Sequence, residues 1–196
     1  MRRQRNFIGP AGMGGMVGLW GASSLVKSVQ YATCTIGGNT ATGTVTITAV
    51  NTANSILLWG GWYSSSPSDG GTDPGTLMCR VILTSSTVVT AERTTVDATY
   101  GRYLPICVIE FQPGVLKSAQ HGLVGLTGVL SAVTTITSVN TAKAALICLG
   151  NTTSYPSPSN NIYAVGVTLT NATTVTGTTA SSASNYYVNF VVMEFF

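Results

Sequence analysis

An internal duplication constrains this 196-residue chain more than any other feature of its sequence. Lys27-Ser28-Val29-Gln30 returns as Lys117-Ser118-Ala119-Gln120, and Thr46 to Ala53 (TITAVNTA) returns as Thr135 to Ala142 (TITSVNTA). Val81-Ile82-Leu83-Thr84 with Thr87 to Thr90 returns as Val167-Thr168-Leu169-Thr170 with Thr173 to Thr176. Val108-Ile109-Glu110-Phe111 returns as Val192-Met193-Glu194-Phe195. The offset falls from 90 through 89 and 86 to 84, and it changes only between blocks, where loops belong. Four matches in one order predict two homologous modules, residues 25–112 and 113–196, joined near Gln112-Pro113-Gly114.

Each repeated block has the pattern of a β-strand. Thr44 to Thr48 alternates Thr with Val45 and Ile47, the period of a half-buried strand; its counterpart keeps Ile136 but has Thr134 in place of Val45. Ile56 to Trp59 and Ala145 to Cys148 are short continuous apolar runs, suited to strands covered on both faces. Gly37-Gly38-Asn39 signals a hairpin between two Thr-rich strands. Thr and Val are stiff at χ1 and favour extended backbone, and no segment longer than a turn shows a 3.6-residue period. The predicted fold is all-β: two tandem β-sandwich modules preceded by an extended N-terminal arm.

The arm, residues 1–24, has its own composition. Arg2, Arg3 and Arg5 open it, six glycines follow, and Phe7, Ile8 and Trp20 are its larger apolar residues. So many glycines make a poor hydrophobic stretch for a secretory leader, so the expectation is an arm that stays on the chain and anchors it. A glycine-rich terminus is ordered only when something ties it down, which makes Arg2, Arg3, Arg5, Phe7 and Trp20 the candidate contacts to a larger assembly.

Charge narrows the function. Lys and Arg number nine and Asp and Glu six, and only 8% of residues are charged. Beyond the arm the count is six against six, so the body is formally neutral. A nucleic-acid binder shows a basic stripe on its folded surface, and none is legible here. No apolar run is long enough for a membrane-spanning helix. A neutral body rich in Thr, Ser and Val also lacks the charged gatekeepers that protect isolated sheet edges. The surface is therefore expected to be covered by neighbouring subunits.

Few residues could carry chemistry. His121 is the only imidazole, its repeat equivalent is Tyr31, and no metal-ligand cluster surrounds it, so neither a catalytic nor a metal site is predicted. Glu110 and Glu194 occupy matching positions, as do Lys27 and Lys117, and one Lys–Glu contact is expected in each module. An exposed pair of that kind contributes roughly 0–1 kcal/mol, so registry is the expected role. Cys34, Cys79, Cys107 and Cys148 are not repeat-equivalent and are expected to be small buried hydrophobes, with one bridge among the first three left open. The loop 60–76 carries Trp62, Tyr63, Asp69 and Asp73, and the shorter loop 150–161 carries Tyr155. These form a candidate contact surface for a ligand or another subunit.

The order Lys-Ser-x-Gln, Thr-Ile-Thr-x-Val-Asn-Thr-Ala, Val-x-Leu-Thr with Thr-x-Val-Thr, and Glu-Phe resembles the Thr-rich β-modules in minor virion proteins of tailed bacteriophages, found in tail fibres, tail tips and head decorations. The resemblance covers residues 26–196 and brings no site motif with it. It implies a non-enzymatic virion component without cofactor, assembled in the host cytoplasm. It further implies arm contacts to other virion proteins, a symmetric homo-oligomer with a trimer favoured, and a host surface glycan as a further partner. The competing expectation is a secreted carbohydrate-binding module or surface adhesin acting alone.

Overall fold

The computed structural model describes residues 25–64, 74–154 and 165–196. Thirteen strands account for nearly all regular structure among them: β1 (Val26–Ile36), β2 (Thr42–Thr46), β3 (Ser55–Trp59), β4 (Tyr63–Ser64), β5 (Cys79–Leu83), β6 (Val88–Arg93), β7 (Arg102–Phe111), β8 (Leu116–Thr127), β9 (Ser131–Thr135), β10 (Ala144–Thr153), β11 (Val165–Asn171), β12 (Thr174–Thr179) and β13 (Asn185–Phe195). Among the described residues helix is confined to one turn at Pro74–Leu77 and 3₁₀ turns at Thr52–Asn54 and Thr141–Lys143. The fold is all-β.

All the ladders are antiparallel, and the strand order in the C-terminal half repeats that in the N-terminal half. The sheet β1-β7-β3 corresponds to β8-β13-β10, and β2-β6-β5 corresponds to β9-β12-β11. Registers agree as well: Ala32 faces Ile106 as Gly122 faces Phe190. In each half, the inward side chains of the paired sheets close one core. The first contains Cys34, Ile36, Leu57, Val81, Val89, Leu104 and Val108; the second contains Val124, Leu126, Val175, Tyr186, Val188 and Phe190. Alternation along β1 leaves Lys27, Val29, Tyr31, Thr33 and Thr35 exposed while Cys34 and Ile36 are buried, as the two-residue period of a strand requires.

Hydrogen bonds recur at equivalent positions too. Ile47 N donates to Thr87 O and Ile136 N to Thr173 O, both at 2.9 Å. The Gln30 carboxamide clasps both backbone groups of Thr48, at 2.7 and 3.0 Å, and Gln120 holds Thr137 at the same two distances. Thr84 meets Thr90 across a hairpin as Thr170 meets Thr176.

One expectation changes. Gly37-Gly38-Asn39 does not close a ladder: β1 pairs with β7 and β2 with β6, so the turn, with Asn39 at φ 59°, carries the chain from one sheet to the other. The two halves are joined through their sheets. Gly150 in β10 pairs with Arg80 in β5, which joins β2-β6-β5-β10-β13-β8 into one six-stranded sheet. A third apolar cluster (Ile56, Leu116 and Met193, with Leu58, Ile109, Phe111, Ala119 and Ile147) fills the space between the halves.

Candidate functional site

Both expected ion pairs are present. Lys27 Nζ lies 2.8 Å from Glu110 Oε1, and Lys117 Nζ lies 3.0 Å from Glu194 Oε1. They differ from the exposed pairs anticipated, because the carboxylates are 3% and 2% exposed while the ammonium groups stay half in solvent. Each carboxylate also accepts a backbone N–H from the start of the neighbouring 3₁₀ turn: Asn51 N at 3.0 Å and Asn140 N at 2.9 Å. The Asn side chains then cap those turns, accepting from Ala53 N and Ala142 N. Burial alone would push the Glu110 carboxyl up, but the bonds from Lys27 and Asn51, the charge of Lys27 and the Ser28 hydroxyl together hold it below its ordinary value. For Glu194 the Asn140 N–H comes first, then Lys117, and its carboxyl is held down as well. These groups satisfy one another. The pairs clamp a turn to a strand.

Of the loop residues, Trp62 and Tyr63 are described, and they part company. Trp62 packs against the first core, under the Arg102 guanidinium at 5.3 Å. Arg102 is fully buried and bonds Asp97 at 3.2 Å. Burial would raise the Asp97 carboxyl, but the N–H groups of Tyr100 and Thr99, then Arg102 and Arg93, bring it below its usual value. Arg93, buried beside it, donates to the carbonyls of Thr40, Gly37 and Tyr100. This arginine–aspartate knot ties the turns at one end of the N-terminal half together. It is not duplicated, since Arg93 and Arg102 correspond to Thr179 and Tyr186, and for that reason the repeat does not announce it.

Tyr63 points outward, 54% exposed, and stacks on Tyr103 with ring centroids 5.0 Å apart. Together they end a continuous uncharged face on β1-β7. Tyr31 lies opposite Cys107, Thr33 opposite Pro105 and Thr35 opposite Tyr103, and cross-strand partners share a face. Tyr31 is 82% exposed, Val29 and Pro105 are exposed, and Cys107 is half-buried. This aromatic face is what the N-terminal half offers to solvent. Sequence alone singled out Tyr63 but not Tyr31 or Tyr103, because β1 alternates like any half-buried strand.

The remaining candidates are accounted for locally. His121 Nε2 is 3.3 Å from the Ser55 carbonyl, and burial lowers its pKa, so the ring is a neutral contact between the halves. The four cysteines are free thiols: Cys34 and Cys79 are buried, with Cys79 pushed up to about 12 by burial, but Cys107 is half-buried and Cys148 exposed, against expectation. Among the described residues no group of three or more His, Cys, Asp or Glu side chains could hold a metal ion, and no helix is long and apolar enough to cross a membrane. Arg2, Arg3, Arg5, Phe7 and Trp20 of the arm, and Asp69, Asp73 and Tyr155 of the loops, lie outside the described residues.

Comparison with protein-family models, with curated proteins and with solved structures finds no match for this chain.

Proposed function

We propose that this chain is a non-enzymatic structural component of a bacteriophage virion, anchored through residues 1–24 and meeting neighbouring subunits through its β-body. The single observation that carries this reading is the uncharged face of Val29, Tyr31, Tyr103, Pro105 and Cys107, ended by Tyr63, on a sheet in which β1 is the last strand among the described residues. A free-standing domain blunts such an edge with charge, proline or a bulge; in β1 the one charge, Lys27, and the register shift between Val26 and Ser28 sit at its start, and Val29 to Ile36 carry neither. Tyrosine contributes large, rigid contact area at low entropic cost, which suits a recognition surface. The basic, glycine-rich arm supplies the second attachment, and the tandem unit 25–112 and 113–196 supplies the projecting body.

Deletion of residues 1–24 tests the reading. On this reading the truncated chain folds with an unchanged melting temperature but is lost from assembled particles. Unchanged incorporation rejects the proposal. The stacked Tyr63–Tyr103 pair favours a second reading, a carbohydrate-binding surface module acting alone. Saccharide binding by a dilute monomer, abolished by Tyr63→Ala, selects that reading.

A further inference from the structure

The repeat provides an internal comparison, because one sheet face occurs twice, and among the described residues the part of it around Tyr31, Pro105 and Tyr103 is covered in one copy only. In the C-terminal half the part of the β8, β13 and β10 face around His121, Tyr187, Asn189 and Val191 is packed against the N-terminal half, while Leu123 further along β8 stays exposed. Val191 and Leu149 enter the first core, Asn189 Nδ2 donates to Val81 O at 3.0 Å, and Arg80 reaches both Asn189 Oδ1, at 3.2 Å, and the Tyr187 ring. His121 meets Ser55, and Gly150 pairs with Arg80. At the offsets of the repeat, His121, Val191, Asn189 and Tyr187 correspond to Tyr31, Cys107, Pro105 and Tyr103, the open aromatic face.

The edge that receives β5 is duplicated as well. Gly61 and Gly150 are equivalent and share a left-handed backbone, at φ 92° and 86°. Beyond them Tyr63 and Ser64 pair with Tyr103 and Arg102 as Thr152 and Thr153 pair with Tyr187 and Tyr186. A Cβ on Gly150 would come within 2.4 Å of the Cys79 carbonyl, whereas one on Gly61 meets nothing within 4 Å. The docking strand is duplicated too: β5 corresponds to β11, and β11 is the outermost strand of its sheet. Neither β11 nor the aromatic face contains a charged residue, so no repulsion opposes their contact.

We propose that a second copy of this chain occupies the face, with β11 of one copy laid along the Gly61–Tyr63 edge of the next and Gly166 opposite Gly61, as Arg80 lies opposite Gly150. The contact joins two different surfaces and is therefore head-to-tail, so repetition gives a ring or a filament rather than a closed two-fold dimer. It rests on the assembly reading above and names the partner. The Arg80–Asn189 anchor is replaced by Gly166 and Pro105, so the contact between chains is weaker than the one within the chain.

Sedimentation velocity of the full chain, followed up to about 100 μM, tests this. The sedimentation coefficient rises with concentration. Tyr31→Lys and Gly166→Lys each return the chain to a monomer with an unchanged melting temperature, while Val133→Lys, on the outer face of β9, has no effect. Mixing the Tyr31→Lys and Gly166→Lys chains restores a one-to-one dimer that grows no further, since each retains one intact end. A wild-type monomer throughout the range, or association indifferent to both substitutions, overturns the proposal. Deleting residues 1–24 leaves the association in place; association lost only with the arm overturns the proposal while the arm's role in the particle stands.

Discussion

Gly122 and Phe190 lie opposite each other in β8 and β13, where the N-terminal half has Ala32 and Ile106. A Cβ on Gly122 would sit 2.4 Å from the Phe190 ring, so the larger core residue in one strand is accommodated by the loss of a methyl in the other. Gly122→Ala is expected to cost about 1–3 kcal/mol through overpacking. Adding Phe190→Ile recovers most of that, a coupling that urea unfolding of the single and double variants measures. Thr134 replaces Val45 for a comparable local reason, since its hydroxyl donates to the Leu123 carbonyl at 2.6 Å. The buried glutamates set an acid limit on the fold. Glu110 and Glu194 are both held below the ordinary carboxyl value, so the unfolded state takes up their protons first as pH falls. Their stabilisation is complete above the unfolded value of about 4.3 and is lost as pH drops through the folded values. Urea midpoints measured from pH 7 to pH 3 therefore fall at the acid end, and the Glu110→Gln, Glu194→Gln double variant flattens that fall. Glu110→Ala leaves Asn51 N without its acceptor and is expected to cost about 1–3 kcal/mol at neutral pH.

At the scale of elements, β13 is the strand on which the two halves meet. Tyr186, Val188, Phe190 and Val192 face the second core while Asn189, Val191 and Met193 face the N-terminal half, so the strand is covered on both sides almost throughout. The run YYVNFVVMEF gives no two-residue alternation, consistent with that placement. β1 is its opposite: alternation persists because only one face is covered. The repeated strands were legible because the residues that make the repeat visible are those that hold it together. Lys, Gln, Asn and Glu recur because each copy needs the same clasp and clamp. The Gly37–Asn39 turn was misread as a hairpin because glycine and asparagine report a permitted backbone, not which sheet the next strand joins. Cys148 was expected inside, but an apolar run of four cannot say which of its faces remains uncovered. The Arg93–Arg102–Asp97 knot was not legible, since nothing in the second half echoes it.

For the whole molecule, the duplication showed that two similar units exist but not how they associate. The association depends on residues present once: Arg80, Asn189 and His121 seal a face whose counterpart carries Tyr31, Pro105 and Tyr103. The exposed face was thus legible only after the covered one had been located, and Tyr63 was the part of it that a loop composition could reveal. One docking face is filled internally, and its counterpart is the face proposed to receive a neighbour. Hydrogen–deuterium exchange on the intact chain, compared between dilute and concentrated solution, tests this most directly. The account predicts slower exchange on concentration in residues 29–35, 61–64, 103–107 and 165–171, with the two cores unchanged. Exchange that is the same at both concentrations in those four segments would contradict it.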